Sequence, residues 1–193
     1  MPADDGIRLE PIAEWLLGAG RRIATPGELL TALCERLVGR GLPLDRESLH
    51  ISTLHPQVRG SRILWQRDGG LMAEVHYGRD DSTIDEAYRK SPLYAVHQSG
   101  RALRRELDGS AAIADYPILA DLQSDGMTDY LAVPLLFSSG ALQIATWASR
   151  RPGGFSDSDI AVIDGLLSAL GAVAEAHEQR RMLRTLIETY LGQ

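Results

Sequence analysis

Apolar and polar positions alternate between two periods along the chain, and the switches between them divide it into elements. From Ile7 to about Ala19, the residues Leu9, Ile12, Ala13, Leu16 and Leu17 recur at helical spacing, and Gly18 and Gly20 close the run. Thr25-Pro-Gly-Glu28 then supplies an N-cap threonine, a proline at the first helical position and a glutamate three residues on, which opens a second helix through Leu29, Leu30, Leu33 and Leu37 to Gly39 or Gly41. The period falls to two in Ser48 to Leu54, Ser61 to Gln66 and Leu71 to Tyr77, predicting three strands. Arg67-Asp-Gly-Gly70 joins the last two as a hairpin.

Between Asp80 and Gly126 the pattern is less regular, with helical pieces over Thr83 to Ser99 and Pro117 to Gln123 around a short strand at Arg101 to Leu107. A second hairpin follows, Asp129 to Phe137 and Ala141 to Ala148, in which Pro134 predicts an edge or a bulge because it has no N–H to give the ladder. Ser156 with Asp159 forms a relative of the capping box, and Ile163, Leu166, Leu167, Leu170, Val173 and Ala174 continue as one helical stripe. The stripe breaks at His177 to Arg181 and restarts out of frame as Leu183, Leu186, Ile187 and Tyr190. Hairpin-joined strands predict an α+β fold, a central antiparallel sheet flanked by helices with a long C-terminal helix. The expected division is an N-terminal helix over 1–24, a main domain over 25–176 and a C-terminal helical seam over 177–193. The restarted seam is too narrow to be stable alone in water, so a homodimer through Leu183, Leu186, Ile187 and Tyr190, helped by Trp15 and Leu16, is expected. A tail folding back on its own domain is the alternative.

Composition narrows the function. With 193 residues, 44% of them hydrophobic, the chain holds one sizeable core, and no apolar stretch is expected to span a membrane. The first residues lack the basic and apolar regions of a secretory signal, so a cytoplasmic location is expected. A net charge of -6 with dispersed arginines argues against a nucleic-acid footprint, and no nucleic-acid partner is expected. The single cysteine, Cys34, excludes an intrachain disulfide and a multi-cysteine metal site. The five histidines fall in separate segments without ligand spacing, so neither a metal nor a cofactor is expected. No nucleophile elbow, P-loop or dinucleotide fingerprint is present, so no catalytic residue is assigned.

Gly100-Arg-Ala-Leu103, Leu131-Ala-Val-Pro-Leu-Leu136 and Phe155-Ser-Asp-Ser-Asp-Ile160 opening a long helix resemble, in sequence and order, the second half of a GAF domain, and the resemblance covers about Pro26 to Glu175. More narrowly, Tyr88-Arg-Lys-Ser-Pro-Leu93, Asp115-Tyr-Pro-Ile-Leu119, Gly126 to Leu135 and Thr185 to Gly192 resemble the region upstream of the catalytic domain in bacterial class III adenylate/guanylate cyclases. The resemblance implies a regulatory domain that binds a small molecule and controls a C-terminal cyclase effector domain, and the paired metal-binding aspartates of that catalytic domain are not in this chain. The Asn-Lys…Phe-x-x-x-Asp-Glu set of cyclic-nucleotide-binding GAF domains is also absent. A GAF-like fold implies a pocket between the sheet and the irregular helical region, and the candidate ligand contacts are Trp65, His76, Tyr94, His97, Tyr116, Asp129 and Tyr130. Alternation leaves open which sheet face lines it: Glu74 and His76 either touch ligand or form the polar side of a strand. Two other functions stay open at this stage, a ligand-free dimerisation module and the effector-binding domain of a transcription regulator.

Overall fold

The structure, a computed structural model, describes residues 10–52, 58–78, 82–108 and 115–191. Six strands, β1 (Arg46–Ser52), β2 (Val58–Gln66), β3 (Gly70–Gly78), β4 (Leu103–Glu106), β5 (Asp129–Leu136) and β6 (Leu142–Ser149), form one antiparallel sheet in the order β3-β2-β1-β6-β5-β4. Six helices accompany it: α1 (Glu10–Leu17), α2 (Pro26–Gly39), α3 (Ser82–Arg89), α4 (Pro92–Ser99), α5 (Pro117–Ser124) and α6 (Asp157–Leu191). The expected elements are present, and the anticipated helical piece after Thr83 is two helices, because Ser91 caps a new start with Pro92 in its first turn.

Local chemistry sets the ends. Thr25 Oγ1 accepts from the Glu28 amide and the Glu28 carboxylate accepts from the Thr25 amide, both at 3.2 Å, which closes the capping box of α2. Ser156 and Asp159 make the same exchange at the start of α6, at 3.2 and 2.8 Å, and Arg151 adds a charge to Asp159. Pro134 is tolerated inside the sheet because β4 is only four residues long and pairs with Asp129 to Ala132, so that side of β5 has no partner at Pro134.

Both sheet faces are covered, each by its own apolar cluster. Leu49, Ile51, Ile63, Trp65, Leu131, Val133, Ala145 and Trp147 pack under α1, α2 and α6 with Ile12, Leu16, Leu33, Leu37, Ile163, Leu166 and Leu170. Tyr130, Ala132, Ile144 and Ala148 on the opposite face meet Val96 of α4 and Leu119 and Leu122 of α5. Cys34 is buried in the first cluster, where desolvation pushes its thiol pKa up. In the same layer Glu47 is 0% exposed; neither carboxylate oxygen has a hydrogen-bond partner among the described residues, nor does Nε1 of Trp147, its register neighbour on β6.

The long helix runs along β5 and is tied to it at both ends. At the start, the buried Asp129 carboxylate accepts from Arg104 Nη2 at 2.7 Å and from the Phe155 amide at 2.8 Å, and Arg104 also donates to the Phe155 carbonyl. Gly154, at φ +66°, passes so close that a Cβ there would collide with Asp129. At the far end the Glu175 carboxylate accepts from the Ser138 amide at 2.7 Å and from its hydroxyl at 2.9 Å. Between these ties the helix lies close enough that a Cβ at Gly171 would stand 3.2 Å from the Leu136 carbonyl oxygen.

Three expectations are corrected here. Residues 157–188 do form a helix long and apolar enough, by length and composition, to cross a membrane, but half of its most apolar stretch is buried inside the protein because that stripe is the core of the first cluster. The break in the stripe begins two residues later than anticipated: His177 and Glu178 are still buried, and Gln179 and Arg180 are exposed. Leu16 is fully buried and Trp15 lies under the Arg36 guanidinium, 3.8 Å from the ring centroid, so Leu16 offers no surface to a partner.

Candidate functional site

The face under α4 and α5 is not filled along its whole length. Around β1, β2 and β6, where α3 and α4 cover the sheet, it leaves a cavity of about 540 Å³. Strand periodicity selects its floor: Arg46, Ser48 and His50 alternate with Glu47, Leu49 and Ile51, which go to the opposite core. Arg62 comes from β2, opposite His50, while Ile144 and Thr146 of β6 stand opposite His50 and Ser48. The roof comes from Tyr88, Pro92, Leu93 and His97 of the helices, with Ile118 of α5 at one side.

Hydroxyls and one imidazole form a relay across the floor. Ser48 Oγ lies 2.8 Å from His50 Nε2 and 2.8 Å from Thr146 Oγ1, and Tyr130 lines the cavity beside Thr146. Burial, reinforced by the Arg62 and Arg46 charges, lowers the His50 pKa to about 3, so its ring is neutral near pH 7. Burial raises the Tyr130 phenol pKa, keeping that hydroxyl protonated. Desolvation lowers the Arg46 pKa, with Arg62 adding to the effect, though a guanidinium stays cationic. At the rim Tyr88 Oη is 2.7 Å from His97 Nδ1, and Gln143 Oε1 accepts from the Ser52 amide at 2.6 Å. Among the described residues no cluster of three histidine, cysteine or acidic side chains forms a metal site.

Of the residues singled out from sequence, His97 and Tyr130 line this cavity. Tyr116 is half-buried against the cluster beneath α4 and α5, beside the cavity. Tyr94 is exposed and packs edge-on against Tyr88, 5.7 Å between centroids, at the outside of the roof. Trp65 is corrected to a core residue: it shares the face of Ile63 under the opposite helices. Asp129 is corrected to a structural anchor, its carboxylate consumed by Arg104 and the Phe155 amide on that same face. His76 pairs with Ser61 in the ladder, and its side chain lies outside the described part of the structure. Sequence reasoning missed Arg46, Ser48, His50, Arg62 and Thr146; a run of polar residues at every second position of a central strand was the available signal.

No protein-family model and no curated protein matches the sequence. Solved structures are similar in shape. The GAF domain of a phosphoenolpyruvate-protein phosphotransferase from Coxiella burnetii superposes with a TM-score of 0.60 at 15% identity, covering 92% of this chain and 99% of that one. The phycoerythrobilin-bound GAF domain of a cyanobacterial phytochrome gives 0.57 at 12% identity, covering 90% and 97%. The GAF domain of a two-component sensor histidine kinase from Bacillus halodurans gives 0.55 at 12% identity, covering 83% and 99%. At such identities the likeness concerns the architecture alone, and together with the strand order, the two-sided core and the long closing helix it establishes that this chain has a GAF-like fold.

Proposed function

We propose that the chain is a sensory module in which a small molecule occupies the cavity over β1, β2 and β6 and α6 passes that occupancy to an attached class III nucleotide cyclase. The observation that carries the binding step is the cavity itself, in the size range of small-molecule sites and combining apolar walls with a few convergent polar groups. The bilin held by the phytochrome GAF domain supports a ligand on this architecture, and the GAF domains of the histidine kinase and the phosphotransferase support its attachment to an effector. The cyclase rests on the segments around Tyr88, Asp115 and Gly126 and on the closing Thr185 to Gly192, which resemble that family.

Output through a homodimer has support on α6, where Leu183, Leu186 and Ile187 are 58%, 51% and 56% exposed on successive turns. Two copies paired along this seam would sample at least two helix arrangements, and a ligand that prefers one shifts the population toward it. Native mass spectrometry of the purified chain tests the binding step: a reproducible small-molecule adduct supports it, and a ligand-free mass in every preparation favours a purely structural dimerisation module. The codons after that for Gln193 test the output: a cyclase domain there supports the proposal, whereas a stop codon, or a DNA-binding helix-turn-helix beside this domain, overturns it.

A further inference from the structure

We infer that the cavity is built for an organic anion, a small molecule whose carboxylate or phosphate sits between Arg46 and Arg62 while its apolar body lies against Pro92, Leu93 and Ile144. This rests on the small-molecule reading of the cavity and specifies the class of molecule.

Charge accounting leads to it. Six arginines elsewhere, Arg67, Arg104, Arg105, Arg150, Arg151 and Arg181, each have an aspartate or glutamate within salt-bridge distance. Arg46 and Arg62 both line the cavity, yet among the described residues no carboxylate lines it with them. Nε of Arg62 is buried with no hydrogen-bond partner among the described residues. Arg46 feels the charges of Asp125 and Glu47, but among the described residues neither pairs with it at salt-bridge distance or lines the cavity, and a partly desolvated guanidinium without a close counter-charge favours an anion beside it. The two cations are also close enough to disfavour each other and to add to the burial that keeps His50 neutral. The site thus presents two permanent positive charges, a neutral imidazole and hydroxyls able to donate to an oxyanion. Planar forks of N–H donors suit carboxylate and phosphate equally, so the geometry names the charge and leaves the choice between these two groups to measurement.

Calorimetric titration and thermal shift with benzoate, phenyl phosphate and neutral benzamide test this, because the three share a ring and differ in charge. At least one anion is expected to bind about tenfold tighter than benzamide or better, and the stronger of the two identifies the preferred group. Arg62→Met should abolish that preference while leaving the melting temperature of the free protein unchanged or raised, since among the described residues no acidic side chain pairs with this arginine and its Nε is unsatisfied. Arg46→Gln carries the same expectation for the anion preference and covers the case in which Arg62→Met does not fold. Equal binding of all three probes, or an anion preference that survives both substitutions, overturns the anion assignment and leaves a neutral-ligand cavity standing. Binding of none of the three overturns it together with the small-molecule reading.

Discussion

Glu47 offers a quantitative test of how the two-sided sheet is built. Its carboxyl is wholly buried beside Trp65 and Trp147, has no hydrogen-bond partner among the described residues, and has its pKa raised well above the ordinary 4.5 by desolvation, the Arg46 charge opposing only in part. The folded protein therefore keeps this proton at pH values where the unfolded chain has released it. The unfolded state then holds fewer protons, so stability falls as pH rises from about 4.5 toward the folded-state pKa, by up to about 1.4 kcal/mol per pH unit. Glu47→Gln keeps shape and polarity and has no proton to release, so the gap between variant and wild type should widen by up to about 2.7 kcal/mol between pH 5 and pH 7. With about 2–4 °C per kcal/mol for a chain of this size, that is roughly 5–10 °C in melting temperature. Urea unfolding followed by tryptophan fluorescence at pH 5, 6, 7 and 8 measures it directly, since two of the three tryptophans lie next to Glu47. Glu47→Leu removes the unpartnered oxygens as well and should exceed wild type by about 1–3 kcal/mol at pH 7. A gap that stays constant across the four pH values refutes the argument, as does a leucine variant less stable than wild type.

The remaining predictions concern other parts of the molecule. His50 titrates near 6.5 when unfolded and near 3 when folded, so between these values the unfolded state holds the extra proton and stability is lost as pH falls, by up to about 5 kcal/mol; His50→Gln should flatten this acid limb in urea titrations. Asp129→Asn leaves Arg104 without its buried counter-charge and should lower stability by about 3 kcal/mol, read as a fall of roughly 6–12 °C in a thermal melt. Leu186→Glu should convert a sedimenting dimer to monomer with stability changed by less than about 0.5 kcal/mol, because that side chain is half-exposed; a wild-type monomer would refute the seam.

Most elements were legible because their signals are local. The Thr25–Glu28 and Ser156–Asp159 caps, the Asp-Gly hairpin and the apolar stripe of α6 each need only a few neighbouring residues. The cavity was less legible because both faces of the sheet are covered. Alternation then separates two buried faces and not a wet one from a dry one. The aromatic character of Trp65 suggests a cavity wall, but its alternation with Ile63 carries it into the core. The first strand was read from Ser48, which hid Arg46 at the cavity and Glu47 behind it. Asp129 shows the other limit: its partners Arg104 and Phe155 are 25 and 26 residues away, and only the β4–β5 register and the turn at Gly154 bring them together.

The two ties between α6 and β5 have a mechanical consequence. From Asp157 to Glu175 the helix rises about 27 Å, and from Asp129 to Ser138 the strand and its turn extend about 30 Å, so the two run side by side at nearly equal length. Pinned at Phe155 and at Ser138, with Gly171 letting the backbones approach between, helix and hairpin form a splinted beam that resists bending between its pins. The same hairpin supplies Tyr130, Ile144 and Thr146 to the cavity. Arg180 donates to the Arg21 carbonyl at 3.0 Å, so the overhang of this beam begins beyond Arg181 and is about 10 residues or roughly 15 Å long, and a tilt of the beam by about 5° would move its tip by about 1 Å.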